Sequence, residues 1–301
     1  MKSLLHRLRR KLGDIIGTTI ARPGFYSPLV DIAEVIQRGD DFWRPHADSI
    51  GIDFRARQQI ELLQACAPWL AQYDYPVNGA VDTQLDAFYD NNSQFGYLDA
   101  RMLFALMQLW RPTRIIEVGS GYSTLLMEDV NRRLLGGVTR ITAIEPFPRA
   151  FMGRLRERGV NLIEQKVQDV ALAHFAALEA GDVLFIDSSH VVKTGSDVNR
   201  LVFEILPQLP AGVRIHFHDI FLPQEYPQSW IREGRSWSEQ YLVRALLQFG
   251  ASHFRVLFGS AYAASCLPDA VASALGGPPQ GGGSLWIEKL SPRQSPGDSS
   301  H

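Results

Sequence analysis

The chain has 301 residues, of which 46% are hydrophobic and 21% charged, with a formal net charge of -2. That is the make-up of a soluble globular protein with room for one large domain, or one domain and an appendage, and it gives no reason to expect a nucleic acid or other polyanion as partner. Cys66 and Cys266 fit no zinc or disulfide pattern, and no apolar run reaches the roughly 18 residues of a spanning helix, so the cytoplasm is the simplest compartment.

Met1 to Gly17 is basic, with Leu4, Leu5, Leu8, Leu12, Ile15 and Ile16 at helical spacing. It predicts an amphipathic helix, and its interrupting charges argue against a secretory segment. Such a helix packs on its own domain or is loosely held; the sharper alternative is a contact with a membrane surface or a partner. Residues 18–50 are irregular, with an ordered loop over Ala21–Pro28 and a short helix over Asp31–Gln37. A helix capped by Asp53 is expected over Phe54–Ala65, and turns over Pro68–Asn78. Met102, Leu103, Leu106, Met107 and Trp110 predict a helix over Leu98–Trp110.

After Arg111-Pro112-Thr113 the rhythm changes. Strands are predicted at Arg114–Val118, Arg140–Glu145, Asn161–Glu164, Asp182–Asp187 and Val213–His218. Between and after them come helices at Tyr122–Leu135, Pro148–Arg158, Ala171–Glu179, Ser196–Leu206 and Ser238–Phe249. Phe254–Phe258 and Ser284–Glu288 close the series. The alternation argues for an α/β fold with a mainly parallel sheet covered on both faces. Gly276–Gly283 reads as a flexible hairpin-like connection, and Ser291–His301 as a disordered tail. The domain organisation is then an N-terminal helical and loop extension (1–95), a sheet domain (96–290) and the tail (291–301).

The first strand ends Glu117-Val118-Gly119-Ser120-Gly121-Tyr122-Ser123-Thr124. Two glycines let the backbone turn tightly and approach a ligand, but no third glycine completes a dinucleotide fingerprint. Glu117 accepts from an amine or hydroxyl and repels a phosphate. The second strand ends Ile144-Glu145-Pro146, which places an acid where it can take both hydroxyls of a ribose.

Together with Val183-Leu184-Phe185-Ile186-Asp187, these segments resemble the class I S-adenosylmethionine-dependent methyltransferases, over roughly Leu98–Lys289. The resemblance implies a Rossmann-like seven-stranded sheet of order 3-2-1-4-5-7-6 with the last strand antiparallel. It implies S-adenosyl-L-methionine as cofactor, with Glu117 on its amino group, Gly119, Ser120, Gly121 and Ser123 at the turn, and Glu145 on the ribose. Gln168 or Asp169 would lie at the adenine, and Asp187 at the reacting end. An acid in the first turn suits a sulfonium with an amino-acid tail and no pyrophosphate.

The fourth strand runs into Asp187-Ser188-Ser189-His190 and the fifth into His216-Phe217-His218-Asp219. Both open onto the carboxyl edge of such a sheet, beside the cofactor turn. The pattern is similar to the metal-dependent sugar O-methyltransferases of the mycinamicin and macrocin type. That resemblance implies His190 as general base and Asp187 as ligand of a divalent cation, magnesium or manganese, with Asp219 as a second ligand. His218 stands where that group has an acid, so manganese, iron or zinc, or no metal at all, stays open. His216 and His218 alternate around Phe217, and either could be a core residue. The long segment Phe221–Trp237, with Tyr226, Trp230 and Trp237, is read as a lid or substrate wall, or else as a locally packed excursion. Glu239 is read mainly as a helix-dipole partner. The expected activity is O-methylation of a small hydroxylated acceptor, glycosyl or natural product, by an enzyme that could be a homo-oligomer. Aminopropyl transfer, a nicotinamide oxidoreductase or a non-catalytic cofactor-binding scaffold are the alternatives.

Overall fold

The Arg114–Val118 stretch lacks the polar alternation of a half-exposed strand, and in the computed structural model it is an interior strand, β1, paired parallel to a neighbour on each side. The structure describes residues 11, 12, 15, 23–43, 51–82 and 84–291. The amphipathic helix expected over Met1–Gly17, the beginning of the 21–28 loop and the polar tail from residue 292 lie outside the described residues, wholly or for the most part.

The other strands are β2 (Arg140–Ile144), β3 (Asn161–Ile163), β4 (Val183–Ile186), β5 (Arg214–Phe217), β6 (Phe254–Gly259) and β7 (Leu285–Lys289). They form one sheet in the order β3-β2-β1-β4-β5-β7-β6, with β7 antiparallel to both β5 and β6. Both the order and the reversed last strand are as expected.

Side chains alternate across the strands, and the two faces fill two apolar layers. Ile115, Val183 and Phe185 enter one layer, with Met102, Leu106 and Leu126; Ile116, Leu184, Ile186 and Phe217 enter the other, with Val198, Leu201 and Ile205. Burying each of these large side chains contributes about 1.5–3 kcal/mol relative to exposure. The first layer also takes Leu63, Cys66, Leu70, Leu85, Phe88 and Phe95. Residues placed by sequence in an N-terminal extension are thus part of the sheet's own core.

Three local expectations change. The helix Ala56–Leu70 runs on through Pro68, where turns were expected. Proline there forgoes one backbone bond near the helix end, while Leu63, Cys66 and Leu70 stay buried along one side. The helix expected over Ser196–Leu206 widens into a π turn at Leu201–Ile205, just ahead of Pro207, whose missing N–H breaks the regular ladder. Two helices, Ser260–Cys266 and Pro268–Leu275, fill the stretch between β6 and β7 that had no assignment. The glycine-rich connection after them is pinned: Leu98 N–H donates to Gly281 O, and the Gly283 and Ser284 N–H groups donate to Asp99.

The described residues fall into two compact units. The larger carries the whole sheet. The smaller holds residues 23–43 and Glu225–Trp237. Within it, Asp31 caps the helix Ile32–Gln37 by accepting from Glu34 N–H. Trp43 Nε1 donates to Tyr226 O, Trp230 and Trp237 pack edge to face, and the Arg235 guanidinium lies over both rings. The aromatics expected on a lid therefore pack among themselves here. Among the described residues no helix is long and apolar enough to cross a membrane.

Candidate active site

The turn after β1 is built around a buried acid. Glu117 has no exposed surface; Ser123 Oγ donates to one of its oxygens and Thr124 Oγ1 to the other, each at 2.5 Å. Thr124 Oγ1 in turn accepts from Gly121 N–H at 3.0 Å, so the acid bolts the glycine turn to the helix Tyr122–Leu134. Burial pushes the Glu117 carboxyl up to about 8 against the pull of the two hydroxyls. Glu117 thus braces the turn, with one hydroxyl donated to each of its oxygens.

The two glycines do different work. Gly119 has φ of +78°, and a Cβ there would sit 1.9 Å from the carbonyl oxygen of Asp187, so the protein itself requires glycine. At Gly121 a Cβ would meet only Arg149 Nε, at 3.7 Å. The space there is left for something else.

Glu145 follows β2 and faces back to the turn. One oxygen accepts from Ser120 N–H at 3.2 Å and the other from Phe147 N–H at 2.7 Å. A cavity of about 530 Å³ lies on one side of it, over the carboxyl ends of β1, β2 and β4, and its walls include Val118, Phe147, Val167, Gln168, Ser188 and Asp197. A second cavity of about 230 Å³ lies on the other side, walled by Gln94, Phe95, Ser120, Gly121, Ser123 and Arg149. Glu145, Phe147 and Asp187 border both. Phe147 is 80% exposed, an aromatic face left in the open beside Glu145. Ser120 Oγ is buried without a hydrogen-bond partner. Gln168 sits in a wall and donates to Gly195 O; Asp169 is exposed and outside the walls.

Asp187, His190 and Asp219 meet at the carboxyl ends of β4 and β5. His190 Nε2 lies 3.3 Å from Asp187 Oδ1 and 3.5 Å from Asp219 Oδ2, and its Nδ1 is 2.9 Å from Glu239 Oε2. His190 and Asp219 both hold left-handed backbone, φ of +61° and +58°, a cost that persists where surrounding structure demands it. His218 Nδ1 lies 3.5 Å from Asp187 Oδ1 and 3.6 Å from Asp219 Oδ2. One donor atom each from Asp187, His218 and Asp219 falls within 4.8 Å of the other two.

The electrostatics follow from that crowding. Burial disfavours the charged His190 ring, but Asp187 and Glu239 outweigh it and raise the imidazole to about 10. Burial likewise opposes charge on His218, and Asp219 and Asp187 carry it well above the usual histidine range. Asp187 is held low by His218 and His190 in spite of burial, whereas burial wins at Asp219 and raises it. In this state His190 keeps its proton.

Glu239 is the residue undervalued from sequence. It is 1% exposed, accepts from Ser188 Oγ with both oxygens at 3.0 Å, and holds His190 Nδ1. Its position is set by backbone: the N–H groups of Ser238 and Glu239 both donate to His190 O. Phe147, Arg149 and Gln94 had no assigned part; only Phe147 had a local signal, as an aromatic two residues after Glu145. His216 is a core residue. Its ring stacks on Phe185 at 3.7 Å, Nε2 is 2.8 Å from Ser284 Oγ, and burial holds it well below its usual range. Of His190, His216 and His218, the first and last therefore converge on the edge.

Residues 116–220 match the family model described as "Methyltransferase domain". A protein of Archaeoglobus fulgidus described as "Uncharacterized protein" is 35% identical over 191 residues, which span 58% of this chain and 86% of that protein. Among solved structures, the N-methyltransferase NodS from Bradyrhizobium japonicum WM9 is similar with 11% identity, over 64% of this chain and 93% of that one, at a TM-score of 0.36. The mitomycin 7-O-methyltransferase MmcR is similar with 16% identity, over 64% and 56%, at 0.38.

Proposed function

We propose that the chain is a class I S-adenosylmethionine-dependent methyltransferase, a reading supported by the match of residues 116–220 to the methyltransferase family model, and that it methylates a hydroxyl oxygen of a small acceptor, a glycosyl group or natural-product intermediate. The observation that carries this reading is the position of Asp187. Its partly exposed carboxylate borders both cavities and lies 3.3 Å from a buried imidazole.

The residues fit the cofactor. Two cavities joined at Glu145 suit an adenosine and an amino-acid tail that diverge from one ribose. The lone pairs that Glu145 does not give to Ser120 and Phe147 would take the ribose hydroxyls. Phe147 offers its face to the adenine, with Gln168 in the same wall. Gly121 leaves room for the tail, with the unpartnered Ser120 Oγ, Gln94 and Arg149 around it. When bound, S-adenosylmethionine supplies an electrophilic methyl on its sulfonium.

The chain's own residues then align and deprotonate the acceptor. Glu239 holds His190 Nδ1 and so aims Nε2 at the Asp187 edge, where it receives the hydroxyl proton. Asp187, His218 and Asp219 would hold a divalent cation; buried His218 Nδ1 has no hydrogen-bond partner and faces the two carboxylates. Such a cation would acidify the hydroxyl and offset the charge that keeps His190 protonated.

The test is transfer of a ¹³C-labelled methyl to a panel of hydroxylated acceptors, read by NMR. An ether methyl is expected, and His190→Ala should abolish it while adenosylhomocysteine still binds. A label found only on nitrogen would overturn the oxygen assignment.

A further inference from the structure

Building on that reading, we infer that the Asp187, His218 and Asp219 set selects a divalent ion of the manganese-to-zinc series over magnesium, and that Asp99 is the positioning residue that presents the His218 imidazole to it.

The inference begins at His218. Its side chain is 5% exposed, and Nδ1 has no hydrogen-bond partner although it faces Asp187 Oδ1 and Asp219 Oδ2 at 3.5 and 3.6 Å. A buried polar atom left in this way is costly unless something else satisfies it. The opposite ring nitrogen, Nε2, lies 3.6 Å from Asp99 Oδ2. Asp99 is itself buried, at the start of the helix Tyr97–Trp110, and cannot swing away. One oxygen accepts from Gly283 N–H at 2.8 Å and the other from Ser284 N–H at 2.9 Å.

With a cation held between Asp187 and Asp219, the fixed Asp99 carboxylate beside Nε2 favours the ring proton on that nitrogen and leaves the Nδ1 lone pair to the metal. The Phe95 ring, 5.2 Å from the imidazole, packs against it. The donors presented are therefore one imidazole nitrogen and two carboxylate oxygens. Magnesium takes oxygen ligands and keeps its waters; an imidazole donor shifts preference to the later divalent ions.

The experiment uses the full chain, stripped with chelator and dialysed. Magnesium, manganese, cobalt and zinc are titrated in by calorimetry, and adenosylhomocysteine binding is measured on the same samples. The wild-type chain should bind manganese, cobalt and zinc at least ~10-fold more tightly than magnesium. Electron spin-echo modulation of the manganese-loaded protein should show one imidazole nitrogen, absent in His218→Asp. Asp99→Asn should weaken manganese by about 10–100-fold with adenosylhomocysteine binding kept. The nitrogen signal is read on the wild-type chain, so the test stands even if a variant fails to fold. Adenosylhomocysteine bound with no cation, with magnesium held as tightly as manganese, or with no nitrogen at the manganese would overturn the inference and leave the methyltransferase reading intact. A wild-type chain that does not bind adenosylhomocysteine would overturn that reading, and this inference with it.

Discussion

Glu117 offers the sharpest physical test of the turn. Its carboxyl is fully buried and raised to about 8 from the ordinary 4.5. The folded protein therefore keeps a proton that the unfolded chain gives up. Between pH 4.5 and 8 the folded state binds more protons, so stability falls as pH rises through that window and levels off above it. Carrying a carboxyl that far costs roughly 4–5 kcal/mol once pH passes 8, as an order of magnitude. Glu117→Gln keeps the shape and has nothing to titrate. Urea unfolding of the cofactor-free protein should show the wild type losing several kcal/mol against Glu117→Gln between pH 5 and 9. The acids and histidines at the other strand ends are present in both proteins, so the difference reports chiefly on Glu117. A difference that stays constant across that range would show Glu117 ionised throughout and would refute the reasoning, because the Ser123 and Thr124 hydroxyls would then outweigh burial.

Two further outcomes follow from the same geometry. Gly119→Ala should cost roughly 3 kcal/mol or more in thermal unfolding, since its Cβ overlaps the Asp187 carbonyl at positive φ, whereas Gly121→Ala should melt like wild type and bind adenosylhomocysteine at least ~10-fold more weakly by calorimetry. Glu239→Gln should lower kcat by roughly 100-fold with adenosylhomocysteine affinity unchanged, because it loosens the hold on His190 Nδ1 without touching the cavities; an equal loss of cofactor binding would show that Glu239 supports the fold rather than the base.

Much of the fold was legible because its signals are local. Strand β1 lies where its apolar run stops at Arg114–Val118, and the remaining strands fall within one or two residues of their apolar runs. The sheet order followed from the family resemblance rather than from spacing. Local signals failed where a residue's neighbours come from elsewhere in the chain. Pro68 reads as a breaker, yet the side chains around it are buried by contacts with the helices Tyr97–Trp110 and Pro268–Leu275. The 260–275 helices are short, and their buried residues, Ser260, Ala261, Ala263, Val271 and Ala274, are mostly small, so no large apolar side chains mark them.

The candidate site divides in the same way. Glu117, Gly119, Gly121, Glu145, Asp187 and His190 sit at strand ends, and strand ends can be read from a sequence: the pattern of burial stops there and the polar residue that follows faces the open edge. The sequence by itself therefore determined which residues reach the carboxyl edge. It could not sort His216 from His218, which share a face because side chains alternate with period two. Packing alone decides between them: Phe185 stacks on one, and Asp187, Asp219 and Asp99 surround the other. Nor could it bring Glu239 to His190, 49 residues earlier, or Asp99 to His218 from across the sheet. Those contacts exist only once the helices after β5 and before β1 have closed on the sheet, because burial and charge at a site are properties of what surrounds a side chain in space, and the order of the chain does not record it.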